Sequence, residues 1–206
     1  MEPDLHRATL EMAHMAAPLL HLTMGAVADY LFGAGNTARA DQVLVHLFRA
    51  RNNYFSHQFA VAAMESGEVT GLLISYSVRF SSRLALPTAF HLLRATGIPG
   101  FVGFLARARP LVGVKEAEED EYFIGNIAVA PAFQGHGLGT HLLSHAEHTA
   151  RDEGFEKIAL TVEVENKGAL AFYRRNGYEV IETIEVPALR ERIGYEGLHR
   201  MRKVLR

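Results

Sequence analysis

Three glycines within five residues form the segment of this sequence with the clearest chemical potential. The hexapeptide QGHGLG at 134–139 lies between a run typical of a buried strand, 122–130, and a run typical of an amphipathic helix, 138–153. A strand, a glycine turn and a helix start together present backbone N–H groups at the positive end of a helix dipole, which binds phosphate without a charged side chain. Glycine lets the backbone approach an anion closely. The segment therefore predicts a diphosphate-bearing ligand.

The composition narrows the classes of protein to consider. A chain of 206 residues, 49% of them hydrophobic, fits one domain with a real core. Its net charge of −2 provides no basic field for a nucleic-acid backbone, and it has no cysteine for disulfides, thiolate metal sites or a thiol nucleophile. Acidic residues interrupt the start of the chain, and the apolar runs are short or broken. We expect a soluble, cytoplasmic protein that binds neither nucleic acid nor membrane.

The order of the predicted elements indicates a mixed α/β chain. Strands are predicted at 5–8, 57–64, 69–77, 122–130, 157–164, 178–186 and 198–205, and helices at 9–32 (with a candidate kink at Pro18), 40–50, 138–153 and 166–176. Residues 83–110 are apolar and rich in Pro and Gly, which favours several short helices. The acidic run 116–121 is typical of a solvated loop, with the alternative that it draws a cationic amine towards a site.

Three ligand classes use glycine turns of this kind. A Walker-type phosphate loop needs Lys-Ser/Thr after its last glycine, whereas Leu138 and Thr140 occupy that neighbourhood here. A dinucleotide fingerprint needs a glycine where this chain has Thr140, and no acidic ribose partner follows at the usual distance. Coenzyme A is the third class.

Two stretches carry a resemblance to the GNAT superfamily of N-acyltransferases. Residues 129–140, VAPAFQGHGLGT, resemble its acyl-CoA signature Q/R-x-x-G-x-G/A after a strand that ends in Val-x-Pro. Residues 160–178, LTVEVENKGALAFYRRNGY, are similar to its downstream pattern of strand, Asn, Ala, Tyr, Gly and aromatic residue. The resemblance covers about residues 122–180. It implies a mixed, mostly antiparallel central sheet flanked by helices, in a single domain over 1–206 with a helical insertion near 83–110.

The resemblance also implies a set of residues that contact acetyl-CoA. The N–H groups from Gln134 to Thr140 would hold the pyrophosphate, and the backbone of Ile127 and Val129 would pair with the pantetheine arm as an added strand does. Asn166 is a helix N-cap, a ligand contact or both. The full implied set is Ile127, Val129, Gln134, Gly135, His136, Gly137, Leu138, Gly139, Thr140, Asn166, Ala169 and Tyr173.

The implied reaction moves an acetyl group to a primary amine by direct attack in a ternary complex. The Val129 N–H is the oxyanion donor by resemblance, and Tyr173 hydrogen-bonds the departing thiolate. Many family members carry a Glu in a Glu-x-Leu-x-Val strand pattern, where this chain has Gly125. Glu121, Tyr122 or a chain of waters could take its place as the base, and we rank Glu121 first.

Several alternatives stay open at this level. The missing carboxylate motivates a second hypothesis, a non-catalytic acyl-CoA-binding or sensing module. His141, His145 and His148 share one helix face, but no carboxylate with ligand spacing joins them, so we predict no metal. The acceptor is a small-molecule or peptide amine that the sequence does not define. Residues 83–110 are expected to touch the acceptor side or to form a homodimer contact.

Overall fold

A seven-stranded sheet divides the protein into two layers. The computed structural model describes residues 4–205. The strands are β1 (Asp4–Arg7), β2 (Ala60–Glu65), β3 (Glu68–Ser77), β4 (Tyr122–Val129), β5 (Lys157–Glu163), β6 (Glu179–Glu185) and β7 (Gly197–Val204), in the order β1-β2-β3-β4-β5-β7-β6. Only β4 and β5 are parallel neighbours; the other pairs are antiparallel. The predicted mixed, mostly antiparallel sheet flanked by helices is confirmed.

Helices cover both faces of this sheet. They are α1 (Ala13–Ala28), α2 (Thr37–Arg49), α3 (Val78–Ser81), α4 (Ala85–Ala108), α5 (Leu138–Asp152), α6 (Lys167–Arg175) and α7 (Pro187–Ile193). Leu20 of α1 and Leu44 of α2 are fully buried in the core of one face, which we call the α1–α2 face. Leu142 and Leu143 of α5 are buried in the core of the opposite face, which α6 also covers. Burial of these apolar stripes positions the helices on the sheet.

Three elements differ from the sequence predictions. The first long helix is interrupted at Gly25 (φ 49°, ψ −131°) rather than at Pro18, because glycine alone adopts that backbone conformation without strain. Residues 85–108 form one long helix with a break at Gly97 (φ 67°), not several short ones. The short helix α7 was missed, although Pro187 at its start and left-handed Gly194 at its end are the usual boundary signals.

The parallel pair β4 and β5 opens towards one end. Their pairing is limited to Tyr122 with Ile158, Phe123 with Ala159 and Ile124 with Leu160. The β3–β4 register shifts just beyond this point, so that Gly125 is an extra residue in β4. A bulge bends its strand, and β4 and β5 are unpaired from there to their C-terminal ends. The gap between them is the central feature of the site described below.

Two helical stretches of the described residues are long and apolar enough to cross a membrane, judged by length and composition alone. Leu10–Gly33 has a mean hydropathy of 1.2, and 39% of it is buried in the protein. Ala85–Leu111 has a mean hydropathy of 1.3, and only 6% of it is buried. The first stretch therefore contributes several residues to the core, whereas few residues of the second are fully buried.

Candidate active site

The glycine turn is open to solvent and presents free backbone amides. Gly135 (φ +81°) and Gly137 (φ +85°) adopt left-handed conformations with nothing within 4 Å of an added Cβ. The amides of Gln134 and Thr140 donate to carbonyl groups of the turn itself. Within residues 4–205, no acceptor is bonded to the amides of residues 135–139, which stand at the N-terminus of α5. These five N–H groups, together with the helix dipole, form a cradle suited to a pyrophosphate.

The side chains of this turn have different environments. His136 is exposed and lies beside the free amides. The Leu138 side chain is buried in the core, so only its backbone N–H belongs to the cradle. Because the amides of Gln134 and Thr140 are already bonded, the free amides span residues 135–139, slightly fewer than the 134–140 range expected from the sequence.

Backbone groups of β4 face the gap between β4 and β5. Ala130 N donates to Thr70 O of β3 at 2.8 Å, and Val129 lies opposite Gly71 in the register. Alternate residues of an antiparallel strand direct their N–H groups to the same side. The N–H groups of Ile127 and Val129 therefore point away from β3 and into the gap. This is the geometry that an added extended chain needs in order to pair with β4.

The two sequence motifs meet at the end of this gap. A Cβ added at Gly139 would lie 3.3 Å from Phe172 Cζ and 3.7 Å from Val129 Cγ2, so α5, α6 and β4 are in close contact there. Gln134 Nε2 also donates to Val129 O at 3.0 Å, which ties the turn to the strand end. Only a residue without a side chain allows this approach, which explains the third glycine of the turn.

Helix α6 places its polar residues beside the same region. Asn166 Oδ1 accepts a hydrogen bond from Ala169 N at 3.0 Å, so Asn166 caps the helix. Ala169 and Tyr173 are one turn apart on the same helix face. Tyr173 is 7% exposed, and its hydroxyl has no hydrogen-bond partner among residues 4–205. Burial raises the pKa of Tyr173, so the phenol stays protonated and is available as a donor.

The position of the missing family carboxylate is filled by a phenol. A Cβ added at Gly125 would lie 3.1 Å from Tyr76 Oη, so Tyr76 occupies the space into which a side chain at residue 125 would extend. The next residue, Asn126, donates from Nδ2 to Thr23 Oγ1 at 2.7 Å and has no basic group. Burial raises the pKa of Tyr76 well above its usual value. Neither residue can therefore take a proton near neutral pH.

Glu121, ranked first as the base from the sequence, lies in a different environment. It is fully buried, and one of its oxygens is 2.9 Å from Arg200 Nη2 and 2.7 Å from Glu118 N. Glu121 directly precedes β4, at the end of the strand that is paired with β5. The gap opens at the other end, near Val129, and about 26 Å of extended strand separates Glu121 from Val129. A carboxylate that is held by a guanidinium and remote from the gap is unsuited to accept the proton of an amine.

Replacing Glu121 therefore tests a structural role against a catalytic one. We expect Glu121→Ala to lower the free energy of unfolding by about 3 kcal/mol, because the 6%-exposed Arg200 side chain would lose its buried partner. Urea unfolding measures this loss. Below the unfolding temperature, the affinity for acetyl-CoA should be unchanged. A stable variant that loses turnover alone would restore Glu121 as the base.

A cluster on the α1–α2 face contains titratable groups that the sequence did not single out, apart from Glu116, which begins the acidic run 116–121. It consists of Tyr54, Tyr76, Glu116, Glu163 and Tyr195. The rings of Tyr54 and Tyr76 are 6.1 Å apart. Burial raises the pKa of all three phenols, and the charge of Glu116 adds to the rise in each. Glu116 is exposed to solvent on one side and crowded by protein on the other, and desolvation raises its own pKa.

Glu163 is the member of this cluster nearest the gap. Continuing the register of Ile124 with Leu160 by three residues places Glu163 level with Ile127. Ala159 of the same strand packs on the α1–α2 face, and strand alternation directs Glu163 to that face too. Burial, and then the charge of Glu165, raise the pKa of Glu163 to about 7. In the sequence, Glu163 could have been recognised as the carboxylate at the end of a strand with alternating apolar residues, inside the second motif.

The helix histidines have no arrangement suited to a metal. His148 Nδ1 is 2.7 Å from Ser144 O on its own helix, and His145 is half-buried. Among residues 4–205, no group of three or more His, Cys, Asp or Glu side chains could hold an ion.

A parallel strand pair that opens beside a glycine turn at a helix N-terminus is the arrangement of an acyl-CoA N-acyltransferase. Residues 28–178 match the model of the acetyltransferase (GNAT) family, and the chain belongs to this family. The family resemblance seen in the sequence is thereby confirmed. Acetyl-CoA-dependent acetylation is general for the family.

Individual relatives match this chain over limited segments. An uncharacterized N-acetyltransferase of Methanocaldococcus jannaschii is 37% identical over 97 residues, which are 47% of this chain and 41% of that protein. N-alpha-acetyltransferase 50 of Danio rerio is 40% identical over 48 residues, 23% of this chain and 29% of that protein. The chain therefore spans less than half the length of these relatives. A crystal structure of an N-acetyltransferase from Staphylococcus aureus Mu50 has the same fold, with a TM-score of 0.73 and 20% identity over 97% of this chain and 99% of that one.

Proposed function

We propose that this protein transfers an acetyl group from acetyl-CoA to a primary amine by direct attack in a ternary complex. The observation that carries the proposal is the row of five free amides at 135–139, which ends beside the open gap between β4 and β5. A pyrophosphate bound by these amides would direct the pantetheine arm along β4. The N–H group of Val129 would pair with it, and the thioester would reach the level of Ile127 and Glu163.

The residues around the gap supply the groups that the chemistry requires. The amine nitrogen attacks the thioester carbon, and the oxyanion that forms would accept a hydrogen bond from Ile127 N–H, which lies at the level of the thioester and Glu163. Val129 N–H, the donor implied by the resemblance, would stay paired with the pantetheine arm. Collapse makes the amide bond and expels the CoA thiolate, which Tyr173 Oη–H would stabilise by a hydrogen bond until the thiolate takes up the second proton that the nitrogen releases. No side chain of this site needs to be acylated, which agrees with the absence of cysteine.

Glu163 is our candidate for the base. A substrate ammonium has a pKa near 10 and must lose a proton before it can attack. A carboxylate of pKa about 7 on the acceptor side of the gap can accept that proton directly or through one water near neutral pH. The ion-paired Glu121 is not retained in this role.

The cluster on the α1–α2 face also bears on the acceptor. Glu116 and Glu163 place carboxylates beside the phenols of Tyr54, Tyr76 and Tyr195 on this face. Carboxylates and aromatic faces both attract an ammonium group. We propose that the amine, on a small molecule or a peptide, enters from this side as a cation. The name of the Danio rerio relative makes peptide N-termini a rational part of the first panel.

Tyr173→Phe tests the role assigned to the phenol. Because the ring and its packing against Tyr178 are kept, we expect an unchanged Kd for acetyl-CoA and a kcat about 10- to 100-fold lower, the range of one lost transition-state hydrogen bond. Thiol release under saturating substrates measures kcat, and calorimetry measures Kd. An unchanged kcat would remove Tyr173 from the mechanism.

The function itself is tested in two steps. Acetyl-CoA should raise the melting temperature of the protein, because a ligand that binds the folded state stabilises it. Thiol release from acetyl-CoA should then depend on an added amine, in a panel of peptides, polyamines and amino acids. No thermal shift at millimolar acetyl-CoA would contradict the proposal.

One observation favours a second candidate function, a non-catalytic acyl-CoA-binding or sensing module. Gly125 replaces the carboxylate that many family members carry, and Tyr76 fills its place. A thermal shift with acetyl-CoA but no thiol release with any amine of the panel would favour this module over the enzyme.

A further inference from the structure

The outward face of α4 is apolar and uncovered in the monomer. Five large side chains on it are more than half exposed, and they define what we call the α4 face: Leu86 (84%), Phe90 (55%), Ile98 (73%), Val102 (59%) and Leu105 (52%). Other exposed large apolar side chains, such as Leu10 and Val204, are scattered over the described surface. A concentration of exposed large apolar side chains on one helical stretch marks a contact with a partner.

The stretch of sequence that contains α4 carries charge of a single sign. Residues 69–115 contain six basic residues and no Asp or Glu, whereas the rest of the chain has a net formal charge of −8. Arg83 lies just before α4, Arg94 near its middle and Arg109 just after it. Arg94 extends over the Phe90 ring at 5.8 Å, so cationic and apolar groups are interleaved. The complement of such a surface is both apolar and anionic.

A basic groove runs beside the α4 face. It has a volume of about 740 Å³ and lies between α2 and α4, with Arg39, His46, Arg94 and Arg107 among its lining residues. Burial, and then the charges of His91 and Arg94, lower the pKa of His46, so its ring is neutral near pH 7 and the positive charge of the groove comes from its arginines. The groove can accept phosphate groups next to the apolar side chains.

The packing of α4 determines how it can meet a partner. Thr88 and Leu92 are buried against the body of the protein, and Arg107 Nη2 donates to Leu31 O at 2.8 Å. The helix is thus held along the body, is broken at Gly97 and carries Arg94 near its middle. A helix that is packed along the body in this way can meet a membrane from the side but cannot cross it without leaving the body. A second copy of this chain would bring arginines against arginines, with no carboxylate between residues 69 and 115 to pair with them.

We propose that the α4 face docks the protein on an anionic phospholipid bilayer. The apolar side chains would enter the boundary between headgroups and acyl chains, while the flanking arginines and the basic groove contact lipid phosphates. A cytoplasmic location, which we expect from the sequence, would bring this face to the anionic inner leaflet. The proposal departs from the sequence-based expectation that no membrane is contacted, and it does not depend on the proposed catalysis.

Vesicle flotation tests this directly with the full chain. We expect binding to vesicles of phosphatidylcholine with phosphatidylglycerol, weaker binding as salt is raised, and little binding to phosphatidylcholine alone. Phe90→Glu with Val102→Glu should lower the partition coefficient onto anionic vesicles by about tenfold or more, since both apolar burial and charge attraction are reduced. The matched control is Leu10→Glu with Val204→Glu, which adds the same charge at exposed apolar positions elsewhere.

Two further measurements check that each variant is folded and whether a second copy of the chain, rather than a bilayer, covers the α4 face. Circular dichroism and the thermal shift with acetyl-CoA report whether each variant is folded. Absence of binding to either vesicle would overturn the proposal, and so would equal binding to both, or an equal loss in the control variant. A lipid-free dimer in light scattering that Phe90→Glu with Val102→Glu dissociates would instead identify the α4 face as a homodimer interface.

Discussion

Gly137→Glu is expected to abolish the thermal stabilisation by acetyl-CoA. Gly137 stands at the N-cap of α5 with φ +85°, and its amide is one of the five that form the cradle. A carboxylate there would repel the pyrophosphate and move amides that each contribute about 1.5–3 kcal/mol to binding a charged group. We expect the Kd to rise at least about a hundredfold, equivalent to about 2.7 kcal/mol. Isothermal calorimetry and the thermal shift measure this change.

The same helix offers a matched control. Gly154 follows the C-terminal end of α5 with φ +80°, and nothing lies within 4 Å of an added Cβ, as at Gly137. Both substitutions place a non-glycine residue in the left-handed region, at about 1–2 kcal/mol each. Gly154→Glu should therefore melt at a similarly lowered temperature but still respond to acetyl-CoA. A response that is retained in Gly137→Glu, or lost in both variants, would refute the phosphate cradle.

Glu163→Gln is expected to reduce kcat/KM for the amine about a hundredfold, within the range of a lost general base. The pH profile carries the specific signature. Glu163 must be deprotonated to accept a proton, so kcat/KM in the parent protein should rise with pH through about 7 and then level off. This rising limb of the pH profile should be absent in Glu163→Gln, while the Kd for acetyl-CoA stays the same. Stopped thiol-release assays between pH 5.5 and 8.5 would follow it.

The stability of the folded protein should fall as the pH rises, whereas kcat/KM should rise. The folded-state pKa of Glu163 is raised, so its folded form binds the proton more tightly, and its contribution to stability is lost as pH rises towards and through about 7. Glu163→Gln removes this penalty and should melt at a higher temperature than the parent at pH 8.

Glu165→Gln provides the control for this pH signature. The charge of Glu165 adds to the rise in the pKa of Glu163, so its removal should move the limb to lower pH without removing it. Full activity in Glu163→Gln, or an unmoved limb in Glu165→Gln, would require another base.

The geometry of the glycine turn and of the helix cap was predictable because its determinants are local. Left-handed glycines at 135 and 137, the start of α5 and the cap at Asn166 depend on residues close in the chain. The acceptor side was not predictable in this way. Tyr54, Tyr76, Glu116 and Tyr195 come from four separate parts of the chain, and their proximity depends on which elements pack on the α1–α2 face.

Glu121 illustrates the same division. In the sequence, Glu121 is an acid near the start of the strand that precedes the glycine turn. A local sequence pattern cannot show that it pairs with Arg200, which is 79 residues away. Glu163 in turn acquires its raised pKa from burial, which exists only in the folded protein. By itself the sequence indicated the glycine turn, most of the strands and helices, and the family, because short-range backbone geometry encodes them. The tertiary structure alone decided which carboxylate is ion-paired and which is desolvated, because desolvation and charge pairing arise from contacts between distant segments.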